Sequence, residues 1–481
     1  MRTKRNTLLN LMGAVVPIGV TLITVPIFLQ LIGAERYGTL AILWALMGYF
    51  GFMDLGLGRA IAQRLASPVG RSPFQRSGLV WTALAMTALL GTVAGIILWL
   101  SADFILSHWI DMTPENLAEA KGAVPWFVAA LPLIFSASIL NGALHGRQNF
   151  LAMNLLAITG GTLAQLLPLT VAALGHVSLG WLVPAALGAH LITFAINFSY
   201  CRRHLPLRLK PHFHPEHLKP LFSYGGWVSV MSIMAPLLVT IDRMVIGALA
   251  GAKAVAFYTV PYSIVTKLMA LSRSLHSAIF PRLASAQEHE ANMLVEKSSR
   301  ALLAVMTFMV LVLIPVIHPF LILWVGSDFA TQAQGIGEVI LLGVLINSIV
   351  IPHHSWLMAK SRVRAITLVY LIQIPFYFFF LWFGLSYLGV IGAALAWTVR
   401  ILMDTVLLLW ISGTIEGAIK YSLVPIFLVT ASVVSTRIFP WNDLNRWTIA
   451  VLLILIAVGY NWRTIQKGFG YLFKRQVVVT T

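Results

Sequence analysis

The sequence predicts an all-α polytopic membrane protein: about 14 transmembrane helices in two pseudo-symmetric six-helix lobes, with two further helices appended at the C-terminus. Three observations lead there. Hydrophobic residues make up 59% of the 481 and charged residues only 10%, with a mean hydropathy of +0.86, whereas soluble chains carry about 25% charged residues. The apolar residues fall into fourteen runs, each long enough to cross about 30 Å of hydrocarbon as a helix. The basic residues between the runs alternate from one side to the other, as topology signals do. A soluble enzyme is excluded by this composition. A nucleic-acid-binding protein is excluded too, because the formal charge of +17 is distributed among the connections rather than gathered on one basic surface. The single cysteine, Cys201, leaves no disulfide framework and no multi-cysteine metal site. Arg2, Lys4 and Arg5 precede an apolar run too long for a signal-peptide core, and no cleavage site follows it.

Taken in order, residues 1–204 hold six runs, centred near 20, 48, 90, 134, 163 and 190, and form the N-terminal lobe. Residues 205–219 are a basic linker. Six more runs near 236, 268, 312, 347, 375 and 400 make the C-terminal lobe, 220–414. Runs near 428 and 453, with a polar tail, fill 415–481. Continuous runs suit helices, which satisfy their own backbone polar groups, and do not suit the alternation of a barrel strand. With both termini placed in the cytoplasm, 25 of the 33 Lys and Arg residues fall on the cytoplasmic side. Five fall opposite (Arg36, Lys121, Lys253, Arg437, Arg446) and three lie inside the bilayer (Arg243, Lys267, Arg400). That asymmetry sets the orientation. The chain also repeats at an offset of 218: Leu31-Ile32-Gly33-Ala34 matches Leu249-Ala250-Gly251-Ala252, and Arg64-Leu65-Ala66-Ser67 matches Arg282-Leu283-Ala284-Ser285. Parallel repeats of this kind place a transport site near the midplane between the lobes.

No Walker-type glycine loop, His-Glu-x-x-His or cysteine pair is present, so nucleotide hydrolysis and a metal centre are not expected. His353-His354 is not a metal-ligand spacing and reads as two polar residues facing an aqueous vestibule. Charges inside the membrane are the informative feature, because each costs about 2.5 kcal/mol or more and normally faces a bundle interior or a hydrated cavity. Lys267 lies near the middle of its run, with no acid three or four residues away. Arg400 sits at a similar depth, one turn before Asp404, where the two are spaced to pair. Asp242-Arg243 lie in the seventh run, Asp54 and Arg59 in the second, and Arg273 in the eighth; an Asp54–Arg273 contact across the lobes fits their depths. Lys267 and Arg400, with Arg243, Arg273 and Arg59, are candidates to line a cationic cavity for an anionic head group. Asp54, Asp242 and Asp404 are either coupling acids or structural partners that lock helices together. Prolines inside the runs suit kinked helices. Gly48, Gly51, Gly56 and Gly58 are expected in one helix, packed closely on a neighbour. Tyr49, Asn141, Gln165, Asn197, Tyr262, Asn347 and Gln373 are candidate sugar contacts or interhelical hydrogen bonds.

Asn10, Gly13, Pro26, Leu31-Ile32-Gly33-Ala34-Glu35-Arg36-Tyr37-Gly38, Asp54-Leu55-Gly56-Leu57 and Arg64-Leu65-Ala66 together resemble polysaccharide-export flippases of the Wzx (O-antigen) type. These belong to the multidrug/oligosaccharidyl-lipid/polysaccharide exporter superfamily, which includes MATE antiporters and lipid II flippases. Asp242-Arg243-Met244-Val245-Ile246-Gly247 followed by Phe257-Tyr258 is similar to the family's seventh and eighth helices. The resemblance covers nearly the whole chain and fades after 410. It implies a MATE-like fold and a flippase for an undecaprenyl-pyrophosphate-linked oligosaccharide, an O-antigen or exopolysaccharide repeat unit used in lipopolysaccharide or polysaccharide biosynthesis. The cargo would move from the cytoplasmic to the periplasmic leaflet of the bacterial inner membrane by alternating access. Implied partners are the lipid-linked cargo, the bilayer, a polysaccharide polymerase and a chain-length regulator, with no nucleic acid. No cofactor is implied, and an H+ or Na+ gradient is a candidate energy source. Lipid II flippases carry an arginine in their first helix; this chain has no charge between Thr7 and Gly33, which argues against lipid II as cargo. A MATE-like cation/drug antiporter would call for an acidic cavity. A membrane-embedded polymerase would call for a catalytic acid or base near a larger external loop than Ser101–Gly122.

Overall fold

The computed structural model describes residues 2–52, 56–66, 73–147, 149–204, 226–360 and 362–474. All regular structure among them is helical: α1 (Arg2–Phe52), α2 (Leu57–Ala66), α3 (Pro73–His108), α4 (Pro114–Gly146), α5 (Phe150–Ala173), α6 (Leu179–His204) and α7 (Gly226–Val265). A 3₁₀ turn (Thr266–Leu268) then leads into α8 (Met269–Ser285), α9 (Glu288–Val325), α10 (Ser327–Ala359), α11 (Val363–Leu388), α12 (Val390–Ile411), α13 (Ile415–Ile438) and α14 (Leu444–Lys474).

Among the described residues, 12 spans are long and apolar enough to cross a membrane. Two of them are double. The 51 residues of α1 would make a straight rod of about 75 Å, but the helix breaks at Gly33 (φ 77°, ψ 167°). The span continuing from α7 breaks at Gly251 (φ 83°, ψ 166°). This backbone region is open essentially to glycine alone. Each bent span carries two apolar runs, so the twelve spans accommodate the fourteen runs of the sequence. The two glycines stand 218 residues apart, the offset of the sequence repeat, and they adopt the same conformation within a few degrees.

The glycine-rich stretch departs from expectation. α1 ends at Phe52, and Gly56 lies in a turn before α2, so the four glycines do not share one helix. The close packing they suggested is nevertheless found: a Cβ on Gly142 of α4 would strike the Gly58 carbonyl of α2.

By contacts, the chain forms two compact units, Met1–Thr259 and Val260–Thr481. Their boundary falls inside α7, whereas the lobes drawn from the repeat part at 205–219, outside the described residues. In the first unit α4 packs on α2, α3 and α6, and α5 on α1 and α6. Leu57, Ile61, Leu79, Ile139, Leu140 and Cys201 form a shared core. In the second unit α10 is the central helix, packed on α8, α9 and α12; α11 covers α12, and α13 and α14 lean on α9.

The five cations that interrupt the charge asymmetry each have a local partner. Arg36 Nε and Nη2 donate to the two carboxylate oxygens of Glu119 (3.1 and 2.8 Å), and Nη2 also donates to Glu115 (2.8 Å). Lys121 pairs with Asp103 at 2.6 Å. Lys253 lies 5.9 Å from the ring centre of Phe257. Arg437 pairs at 3.1 Å with the buried Glu338, and the buried Arg446 donates to the Pro315 carbonyl at 3.0 Å. Arg36, Lys121 and Arg437 are thus ion-paired, whereas Arg446 keeps an unpartnered Nε among the described residues.

Candidate functional site

The candidate residues divide between the two units. In the first, Arg59 is exposed on α2. Asp242 is fully buried on α7 and fully engaged: Oδ1 accepts the Arg243 backbone N–H (2.8 Å) and Nη1 (2.9 Å), while Oδ2 accepts the Tyr258 hydroxyl (2.6 Å). Arg243 Nη1 donates a second time, to the Val239 carbonyl at 2.7 Å. Three donors, one of them a guanidinium, thus occupy both oxygens of this carboxylate. The bend at Gly251 makes this possible by returning Tyr258 to the level of Asp242, sixteen residues earlier.

Asp54 lies outside the described residues, as does the side chain of Tyr49, so the Asp54–Arg273 contact has no described geometry. Three other polar candidates of this unit, Asn141, Gln165 and Asn197, form side-chain hydrogen bonds between helices. Thr24 donates to Gln165 Oε1 (3.2 Å), and Asn197 Nδ2 donates to Asn141 Oδ1 (3.0 Å).

In the second unit Lys267 is half-buried within the 3₁₀ turn between α7 and α8. Among the described residues it forms no ion pair, and the nearby Arg273, exposed on α8, is a second cation acting on it. Arg400 and Asp404 are both buried on α12, 6% and 7% exposed. Their spacing suggested a direct pair, but the structure arranges them otherwise. After the turn at Gly389, α12 runs back along α11, which inserts Gln373, whose Nε2 donates to Asp404 Oδ1 at 2.8 Å. The Arg400 guanidinium stands 5.4 Å over the Tyr377 ring, a cation–π arrangement. Among the described residues, Arg400 Nε and Gln373 Oε1 have no hydrogen-bond partner.

Tyr370, Gln373 and Tyr377 share one face of α11 at i, i+3, i+7, opposite Trp397, Arg400 and Asp404 at the same spacing on α12. Tyr370 and Tyr377 were not singled out from sequence, although this polar stripe in an apolar helix was the signal. Tyr262 packs edge-on to Trp397, ring centres 5.6 Å apart, and Asn347 is buried, its Oδ1 without a hydrogen-bond partner among the described residues. The histidine pair does not face a vestibule as expected. His353 is 2% exposed, bonded to the Ile349 carbonyl at 3.1 Å and near Ser299, while His354 Nε2 meets the Tyr370 hydroxyl at 3.4 Å.

With this geometry in view, residues 3–287 match the family model described as polysaccharide biosynthesis protein. A Shigella flexneri protein named as a candidate O-antigen transporter is 25% identical over 414 residues, which is 85% of this chain and 97% of that one. Among solved structures, the lipid II flippase MurJ in an inward closed conformation superposes with a TM-score of 0.70 at 17% identity, covering 95% of this chain and 98% of that one. An inward-facing multidrug resistance MATE family transporter of the MOP superfamily superposes with a TM-score of 0.65 at 15% identity, covering 85% and 98%. At those identities the two structures establish the fold, a MATE-like helical bundle.

Proposed function

The chain belongs to the polysaccharide biosynthesis protein family, and from that premise we propose that this multi-pass membrane protein is a flippase for a lipid-linked oligosaccharide, not an enzyme. The proposed cargo is an undecaprenyl-pyrophosphate-linked O-antigen or exopolysaccharide repeat unit. It passes from the cytoplasmic to the periplasmic leaflet of a bacterial inner membrane by alternating access of the two lobes. The charge asymmetry of the connections supports cytoplasmic termini. A polymerase and a chain-length regulator would act on the delivered product, and an H+ or Na+ gradient would supply the energy.

The observation that carries this reading is the pair of intramembrane cations in one compact unit, Lys267 and Arg400. Neither makes an ion pair among the described residues, and each sits in a span where an uncompensated charge is costly. A pyrophosphate and its sugars cannot cross hydrocarbon unaided, because they would lose their hydration. Cations and hydrogen-bonding groups inside the protein replace that hydration. Arg243 is already committed to Asp242, so Lys267 and Arg400 are the stronger candidates for the phosphates, with Arg273 and Arg59 as accessory cations.

The test is complementation of a strain lacking the gene, with lipid-linked units inside the membrane measured against polysaccharide delivered outside. Losing one charge-assisted contact to phosphate costs about 1.5–3 kcal/mol, roughly ten- to a hundredfold in delivery. Lys267→Gln should accumulate undelivered units, and Lys267→Arg should restore delivery. Full delivery by Lys267→Gln together with Arg400→Gln, at normal protein levels, would defeat the proposal.

A further inference from the structure

We infer that Asp404 is the group of this protein that binds and releases a proton during transport; the inference rests on the transport reading above. Among the described residues three acids are buried: Asp242, Glu338 and Asp404. Their surroundings separate them. Asp242 holds three donors on its two oxygens. Glu338 accepts the Gln334 amide at 2.7 Å and forms an ion pair with Arg437 at 3.1 Å, although its Oε2 has no hydrogen-bond partner among the described residues. Asp404 takes a single neutral donor, the Gln373 amide.

A buried carboxylate gripped by charged donors exchanges its proton only if that grip is broken. Asp404 has one neutral amide donor and, among the described residues, no ion pair, so taking up a proton breaks no contact with a charged group. Arg400, one turn away, sets the consequence. Its guanidinium rests on Tyr377, with Nε unpartnered among the described residues, and the Asp404 carboxylate offsets its charge without an ion-pair contact. Binding a proton to Asp404 removes that offset, and the buried site changes net charge by one between its two states. The step is the formation and loss of one O–H bond, with the proton taken from water and returned to water.

A line of hydrogen-bonding groups leads toward the site. Asp404 lies fourteen residues into α12, about 21 Å along the helix from the Gly389 turn. Gln373 on the antiparallel α11 stands at the same height. Tyr370 is one turn nearer the α10–α11 connection, and its hydroxyl meets His354 Nε2 at 3.4 Å. The His354 ring lies 6.2 Å from that of His276, and His276 Nδ1 bonds Ser355 Oγ. Arg400 on its own helix and Tyr370 on α11 act on Asp404 electrostatically; α10 also carries Glu338, His353 and His354, α11 Arg364 and Tyr377, and α13 the exposed Lys420. Tyr421 of α13 is turned instead to Arg300, 5.4 Å from its ring.

The experiment uses the purified full-length protein in lipid vesicles and records pH-difference infrared spectra. Wild type and Asp404→Glu should show a protonated-carboxyl C=O band that titrates, and Asp404→Asn should lack it. A titrating band that survives Asp404→Asn, or no such band in wild type, overturns the assignment. Should Asp404→Asn not fold, the wild type suffices. Dicyclohexylcarbodiimide, which attacks protonated carboxyls in apolar surroundings, should label Asp404 increasingly as the pH falls and leave Asp242 unlabelled, as read by peptide mass mapping. Labelling of Asp242 in place of Asp404 overturns the assignment. Neither readout needs a cargo. A titrating Asp404 in a protein that delivers no lipid-linked units would sink the flippase reading alone, and delivery lost in Asp404→Asn without any titrating band would sink this one alone.

Discussion

The bends at Gly33 and Gly251 have the same backbone and different fastenings. After Gly33 the chain is held by side chains. Glu35 Oε1 accepts the backbone N–H and hydroxyl of Thr113 (2.9 and 3.0 Å), and Arg36 clasps Glu119 and Glu115. Glu119 in turn accepts the Leu179 N–H at the start of α6, at 3.0 Å. Around Gly251 the holding atoms belong to the backbone. The Asp111 N–H donates to the Gly247 carbonyl (3.1 Å), and the Asp111 carbonyl accepts the Ala252 N–H (3.2 Å). The loop between α3 and α4 thus grips both bends, one through carboxylates and the other through peptide groups. The difference teaches that the repeat preserved the path of the chain and not the chemistry that secures it.

The largest expected effect comes where the bends approach each other. A Cβ on Gly38 would collide with the Ala252 carbonyl, and neither helix backbone can yield locally. Overpacking of this kind costs about 3 kcal/mol, so Gly38→Ala should lower the thermal unfolding midpoint in detergent by several degrees. An unchanged midpoint would mean that the two bends do not touch.

Next come the glycines themselves. Alanine in this backbone region costs roughly 1–3 kcal/mol. At Gly33 nothing lies within 4 Å of the added carbon, whereas at Gly251 it would lie 3.2 Å from the Asp111 carbonyl oxygen. Gly251→Ala should therefore be the more damaging substitution. Equal losses would show that strain alone decides and that the Asp111 contact contributes nothing.

These bends also mark what the sequence could and could not reveal. The match of Leu31-Ile32-Gly33-Ala34 with Leu249-Ala250-Gly251-Ala252 was visible as text, and so was its implication of a duplicated unit. That both glycines hold one Gly-only conformation was not visible, because several conformations are open to glycine and spacing does not choose among them. The apolar runs were legible because hydrophobic length is a property of the chain itself. Adjacency left open whether Asp242 and Arg243 pair or serve a cavity; the Tyr258 hydroxyl that completes the cluster arrives only through the bend at Gly251. The spacing of Arg400 and Asp404 allowed a direct pair, but Gln373 arrives from another helix at a height fixed only by the turn between α11 and α12 and donates to Asp404 instead. His353, expected at water, is buried because α9 and α10 pack along their length, a tertiary fact with no local sequence signature.

The smallest effects test whether the two fastenings differ in kind. Arg36 is partly shielded and bidentate, so Arg36→Gln should cost about 1 kcal/mol, the upper end for such pairs. Lys253 is exposed, with its ammonium 5.9 Å from the centre of the Phe257 ring, so Lys253→Gln should stay within about 0.5 kcal/mol. Salt then separates the two mechanisms. Mobile ions screen partly exposed charges over about 10 Å at 0.1 M, so the penalty of Arg36→Gln should shrink as salt rises from low to molar concentration. A collision between a methyl group and a carbonyl is not screened, so the penalty of Gly251→Ala should hold constant across the same series. If both penalties fell together, Asp111 would be holding the second bend through its carboxylate rather than its peptide group, and the two fastenings would be electrostatic alike.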